Sequence, residues 1–186
     1  MMSKVGVISC AHAHWLRSSR VMGRYLALAA GYSEHDSLTH VPIDRAGFAA
    51  VFPEAELEIL HTHGTPLGLY DQRADGGGGP IVTLEDIERL PRAAGVRLVV
   101  ITACEAAGGD PAHNLASVIS TRISPSGLVI ANRHVVWGED YDFGEKTGKR
   151  GWVAYRDGRI LLTPEDIPAA ITMKDAYELL LAHENG

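Results

Sequence analysis

Cysteine is scarce in this chain, with 2 among 186 residues, Cys10 and Cys104. Each ends an apolar run, and neither has the spacing of a zinc knuckle or a disulfide framework, so both are expected as free thiols. Clustered positive charge is missing: the 17 lysines and arginines are scattered and outnumbered by 23 acids, for a formal charge of −6. That balance argues against a nucleic-acid interface or an anionic membrane surface as partner. No apolar stretch approaches the roughly 20 residues a bilayer span needs, and no basic-then-apolar leader follows Met1, so a cytoplasmic location is expected. Internal repeats and low-complexity linkers are absent as well. Residues 1–186 therefore read as a single domain, long enough to remove roughly two-thirds of its unfolded surface from water.

What is present is an alternation of short apolar runs with segments of helical period, the pattern of a mostly parallel sheet covered on both faces. "KVGVIS" (4–9), "LTHVPID" (38–44), "ELEILH" (56–61), "RLVVIT" (97–102) and "GLVIANRHVVW" (127–137) are the strand candidates. Pro42 marks the second as an edge or irregular strand. The first strand leads into a helix carrying Leu16, Met22, Leu26 and Ala29, and "RAGFAAVF" (45–52) is a short helix. "TLEDIERL" starts at Thr83 as N-cap, with Glu85 and Asp86 in its first turn. Another helix is expected from "DPAHNLASVIST", with Asp110 as cap and Pro111 at the first helical position. Residues 64–80, with Pro66 and the tract Gly76 to Gly79, show neither period and read as a surface loop, either a flap or a linker. At the carboxyl end, Asp157-Gly158 predicts a tight hairpin, and Thr163-Pro164-Glu165-Asp166 starts a last helix.

Reactive groups in open parallel sheets gather outside the carboxyl ends of the strands. Two runs end there with chemistry-bearing residues, "LHTHG" at His63 and "VVITACEAAGG" at Cys104. A cysteine thiolate is a strong nucleophile, and a histidine beside it can activate it and protonate a leaving amine near neutral pH. Gly64 lets the backbone come close to a substrate, and the amides of Gly64 and Cys104 are candidate oxyanion donors. Ala103, Ala106, Ala107, Gly108 and Gly109 are expected to leave space beside the sulfur. Cys10 lacks such a sequel and is read as core or pocket wall.

Taken in order, "LHTHG", "LEDIERL" and "VVITACEAAGG" resemble the CHAT domains, bacterial caspase-like cysteine peptidases of clan CD. The "ACE" stretch is similar to legumain-type peptidases of the same clan. The resemblance covers about residues 57–137. It implies an α/β fold of caspase-like type, a three-layer αβα sandwich with a mostly parallel central sheet and here a carboxyl-terminal hairpin. It implies His63 and Cys104 as catalytic dyad, and the amides of Gly64 and Cys104 as oxyanion hole. The dyad spacing, 104 − 63 = 41, is near the roughly 50 residues that separate histidine from cysteine in caspases. Relatives of this kind cleave peptide bonds without cofactor or metal, and pair with copies of themselves or with a regulatory partner. The segment 138–160 departs from the resemblance by inserting a charged loop and a hairpin.

Pocket candidates are His12, His14, His61, Glu105 and Asp110, the two acids, with "GEDYD" (138–142), being possible acceptors of a basic substrate side chain. Two other readings compete. "HAH" (His12, His14) and "HTH" (His61, His63) each place two imidazoles on one side of an extended chain, which would suit a metal-dependent hydrolase. The sandwich without turnover would serve as an assembly module.

Overall fold

The apolar runs come together as neighbours in one sheet. The computed structural model describes residues 4–11, 19–21, 23, 24, 27, 28, 31–33, 35–71, 79–134 and 151–162. Its main sheet has seven strands, β1 (Val5–Ser9), β2 (Leu38–Pro42), β3 (Leu57–His61), β7 (Leu98–Ile101), β8 (Leu128–Asn132), β9 (Trp152–Arg156) and β10 (Arg159–Leu162). They lie in the order β10-β9-β8-β7-β3-β1-β2. The first five in chain order pair in parallel, whereas β9 and β10 run antiparallel. Parallel strands covered on both sides must be apolar on both sides. β1, β3, β7 and β8 are accordingly buried along their whole length, while the Pro42-bearing β2 is a partly exposed edge.

Alternation along the strands sorts the core into two layers. One face carries Ile8, Leu60, Val99, Ile101, Val129, Ala131, Val153 and Tyr155. It is covered by helices α1 (Arg45–Val51), α2 (Leu84–Glu88) and α3 (Leu115–Ser120). Phe48 of α1 and Phe52, which opens the following 3₁₀ turn, stack at 5.1 Å between ring centroids. The opposite face carries Val5, Val7, Leu57, Ile59, Leu98, Val100, Leu128 and Ile130. Helical residues within 19–28 cover it: Ala27 joins that cluster, and a Cβ on Gly23 would stand 2.6 Å from Val7 Cγ2. The protein is thus α/β, with helical segments on both faces of a mostly parallel sheet.

Local signals hold where expected at several termini. Thr83 caps α2 in a reciprocal box: its hydroxyl accepts the Asp86 N–H at 3.1 Å, and the Asp86 carboxylate accepts the Thr83 N–H at 2.9 Å. Asp157 (φ 46°) and Gly158 (φ 77°) both adopt the left-handed turn that joins β9 to β10. This hairpin belongs to the main sheet, since β9 pairs with β8, so the part of 138–160 that is described extends the fold.

Other expectations require correction. Residues 64–71 are not a featureless loop: β4 (His63–Thr65), β5 (Gly68–Tyr70) and β6 (Val82–Thr83) form a second, three-stranded antiparallel sheet in the order β4-β5-β6, while 72–78 lie outside the described residues. Strands this short carry too few residues for alternation to show. Asp110 does not cap α3; Asn114 does, accepting the Ser117 N–H at 2.9 Å. The Asp110 carboxylate instead accepts the Ala112 N–H at 2.9 Å, within a turn that precedes the helix. The helix expected from residue 163 lies outside the described residues.

One buried group is anomalous. Glu58, in the middle of β3, is fully buried, and neither carboxylate oxygen has a hydrogen-bond partner. Its carboxyl lies over Gly6 of β1, where an added Cβ would stand 2.2 Å from an oxygen. Burial raises its pKa well above the usual carboxylate range, so it is held as the neutral acid. The folded state therefore binds a proton that the unfolded chain releases above about pH 4.3, and stability falls as pH rises from there toward the folded-state value. Glu58→Leu is expected to remove this decline and raise stability at neutral pH by about 1–3 kcal/mol, measured by urea unfolding over a pH series. Gly6→Ala should destabilise, because its Cβ would take the space that the buried Glu58 carboxyl fills.

Candidate active site

Parallel pairing brings the carboxyl ends of five strands to one level. Ser9 pairs with Pro42 on one side and His61 on the other, and Ile101 pairs with Ala131. The chain leaving each strand then bonds sideways to its neighbour. The Cys10 N–H donates to the His61 carbonyl at 3.3 Å, and the Thr102 N–H to the Leu60 carbonyl at 3.0 Å. The Glu105 N–H donates to the His134 carbonyl and the Ala107 N–H to the Asn132 carbonyl, both at 2.9 Å. The result is a rim formed by residues 10–11, 61–64, 102–107 and 132–134.

After His61 the chain bends at Thr62, leaves the main sheet and starts β4 with half-buried His63. In β5, the Leu69 carbonyl accepts the Ile81 N–H at 2.8 Å, so the peptide groups of Leu69 face β6. Its partner across the β4–β5 ladder is Gly64, whose N–H must then point away from β5. Across the face of β4 lies the chain approaching the cysteine: a Cβ on Gly64 would be 2.6 Å from Ala103 Cβ and 3.3 Å from the Cys104 carbonyl oxygen. Only glycine fits there, and its fit puts the backbone next to His63 in contact with the backbone at Cys104. Cys104 itself is half-buried, and the following Glu105 is exposed with φ at 52°.

The β4–β5 hairpin is held at both ends. At its tip, the Pro66 carbonyl accepts the Leu115 N–H at 2.9 Å, and the Pro66 ring lies against Gly108 and Gly109. At its root, the buried Cys10 thiol donates to the Tyr70 carbonyl at 3.5 Å and receives the backbone N–H of His63. The Asp71 carboxylate accepts the Ala11 N–H at 2.5 Å. Burial pushes the Cys10 thiol up to about 11, against the His63 N–H, with the charge of Asp71 adding to the rise. Neither Cys10 nor Cys104 is in a disulfide, but Cys10 is protonated at neutral pH and inert.

Behind the rim lie two serine–histidine pairs. His61 Nδ1 is 2.8 Å from Ser19 Oγ, and His40 Nε2 is 2.8 Å from Ser9 Oγ, which also reaches the Cys10 carbonyl at 3.2 Å. His61 is only 3% exposed; burial, together with the imidazoles of His40 and His63, depresses its pKa to about 4. His40 is lowered by burial and by Arg20. These imidazoles are neutral and structural in character, tying the strand ends to one another and to the helical segment at Ser19.

Of the residues singled out from the sequence, His63, Gly64 and Cys104 fall on the rim. His61 is also at a strand end, but inside, with one ring nitrogen engaged by Ser19. Glu105 and Asp110 are exposed; His12, His14 and 138–142 lie outside the described residues. Ala103, Ala106 and Ala107 are fully or almost fully buried members of the core. Gly108 is half-buried and Gly109 exposed, and the small size of the alanines has a packing role. It lets α3 and the hairpin tip approach, as the Ala116 N–H to Ala106 carbonyl bond at 3.0 Å illustrates. Among the described residues, no group of three or more histidines, cysteines and acids is arranged to hold a metal ion. Sequence reasoning missed Asp71, Asn132 and His134, which reach the rim only through pairing between distant segments.

Among the described residues, no helix is long and apolar enough to cross a membrane. No protein-family model matches the sequence, and no curated protein matches it.

Proposed function

We propose that the chain is a cysteine endopeptidase of the caspase-like clan CD, folded as the three-layer αβα sandwich that its CHAT-like motifs imply. The observation that supports the reading is the close approach of Gly64 to the Ala103 side chain and the Cys104 carbonyl, which brings the backbone that follows His63 beside the backbone at Cys104, 41 positions on. Cys104 gives its thiol proton to His63, and Sγ attacks the carbonyl carbon of a peptide bond and forms the C–S bond. The electron pair moves to the carbonyl oxygen, and the N–H groups of Gly64 and Cys104 stabilise the negative charge there. Collapse breaks the C–N bond, and the amine leaves with a proton from His63. Water then adds to the thioester, releases the acid and regenerates the thiol.

A fluorogenic peptide panel tests the assignment. Cys104→Ala is expected to reduce cleavage by at least about a thousandfold, as removal of a nucleophile does elsewhere, and His63→Ala by about a hundredfold or more. A chelator should leave the rate unchanged. Sensitivity to chelation with bound zinc, or retained cleavage in Cys104→Ala, would sink the proposal.

A second variant isolates the oxyanion contact. Gly64→Ala has to displace Ala103 or the Cys104 carbonyl, and kcat is expected to fall by about tenfold or more with little change in KM. A fall confined to KM would assign Gly64 to substrate binding alone.

A further inference from the structure

Cys10 takes no part in the scheme above, yet it is the buried group nearest the root of the hairpin that carries His63. Its backbone N–H is bonded to His61, its thiol to the Tyr70 carbonyl, and the His63 N–H to its sulfur. His63 and Tyr70 are the pair that opens the β4–β5 ladder, so one thiol touches both strands at the point where they leave the main sheet. The next residue repeats the connection, because the Ala11 N–H binds Asp71, which follows Tyr70. Between His61 and His63 there is only Thr62, a link too short to fix the direction of β4 by itself.

We infer that Cys10, together with Asp71, is a positioning residue: the pair clamps the root of the hairpin to the end of β1 and so sets where the His63 imidazole stands relative to Cys104. The inference rests on the dyad reading for its catalytic meaning and on the hydrogen bonds for its geometry. A neutral thiol suits the task, since it both donates to a carbonyl and accepts from an N–H. The acid suits it for another reason: a carboxylate takes an amide N–H more strongly than a neutral oxygen does. A void in place of the sulfur would free both strands of the hairpin, and a small displacement of a catalytic group has a large effect on rate.

The test is iodoacetamide alkylation of the full chain from about pH 5 to about pH 9, where histidine and activated cysteine titrate. Cys104 and Cys10 are read separately from peptide masses in wild type, His63→Ala, Cys10→Ala, Cys10→Ser and Asp71→Ala. His63→Ala should abolish the acidic limb of the Cys104 profile. Cys10→Ala and Asp71→Ala should move that limb toward alkali and slow Cys104 labelling at neutral pH by about fivefold. Cys10→Ser, which keeps a donor and an acceptor, should remain within about twofold of wild type. Asp71→Ala carries the test should Cys10→Ala fail to fold. A profile that responds to His63→Ala but to neither clamp variant overturns the positioning role and leaves the dyad standing. Indifference to His63→Ala overturns the dyad. In that case the ring titration of His63, followed by NMR in the same variants, decides the clamp separately: an unchanged midpoint in Cys10→Ala and Asp71→Ala overturns it, and a shifted one upholds it.

Discussion

The in-register parallel pairing of β1, β3 and β7 is the constraint on which the rest depends. Because Ser9 lies opposite His61 and Leu60 opposite Ile101, the three strands give out together, and whatever follows them is delivered to one edge of the sheet. A slip of one residue would turn every side chain to the other layer, and would take Glu58 off the space that Gly6 leaves for its carboxyl. The geometry of the site is therefore inherited from the hydrophobic effect acting on the strands, not from any attraction between histidine and cysteine.

What the sheet delivers is then refined by polar contacts of modest individual strength. The serine–histidine pairs tie β1 to β2, and β3 to the helical segment over it. Sulfur and carboxylate fasten the hairpin root. Each such bond contributes about 0.5–1.5 kcal/mol net, too little to choose the fold but enough to fix a side-chain position within it. The two thiols illustrate the division of labour. Burial makes Cys10 a proton-bearing strut, whereas Cys104 sits half-exposed on the rim.

The strands of the main sheet were legible because four of them are short runs dominated by Val, Ile and Leu, a signal that needs no partner to be read. The cap at Thr83 and the turn at Asp157-Gly158 were legible because their chemistry is local. β4 and β5 were not, since three residues apiece reveal no period, and their existence depends on pairing with each other and with Val82. Asp110-Pro111 carries a strong start signal, but Asn114 takes the capping role at the helix while Asp110 closes the turn before it. The small residues after Cys104 were legible, but not their part in the close packing of α3, which sequence cannot distinguish from smallness around a reactive atom. The contact of Cys10 with Tyr70 spans 60 positions, and no local pattern announces it.

The hairpin bearing His63 is pinned at its root by residues 10–11 and at its tip by the start of α3. A beam fixed at both supports does not swing. Since the tip also rests on Gly108 and Gly109, hairpin and cysteine segment are braced against each other, and an extended chain would meet a rim already set before it arrives.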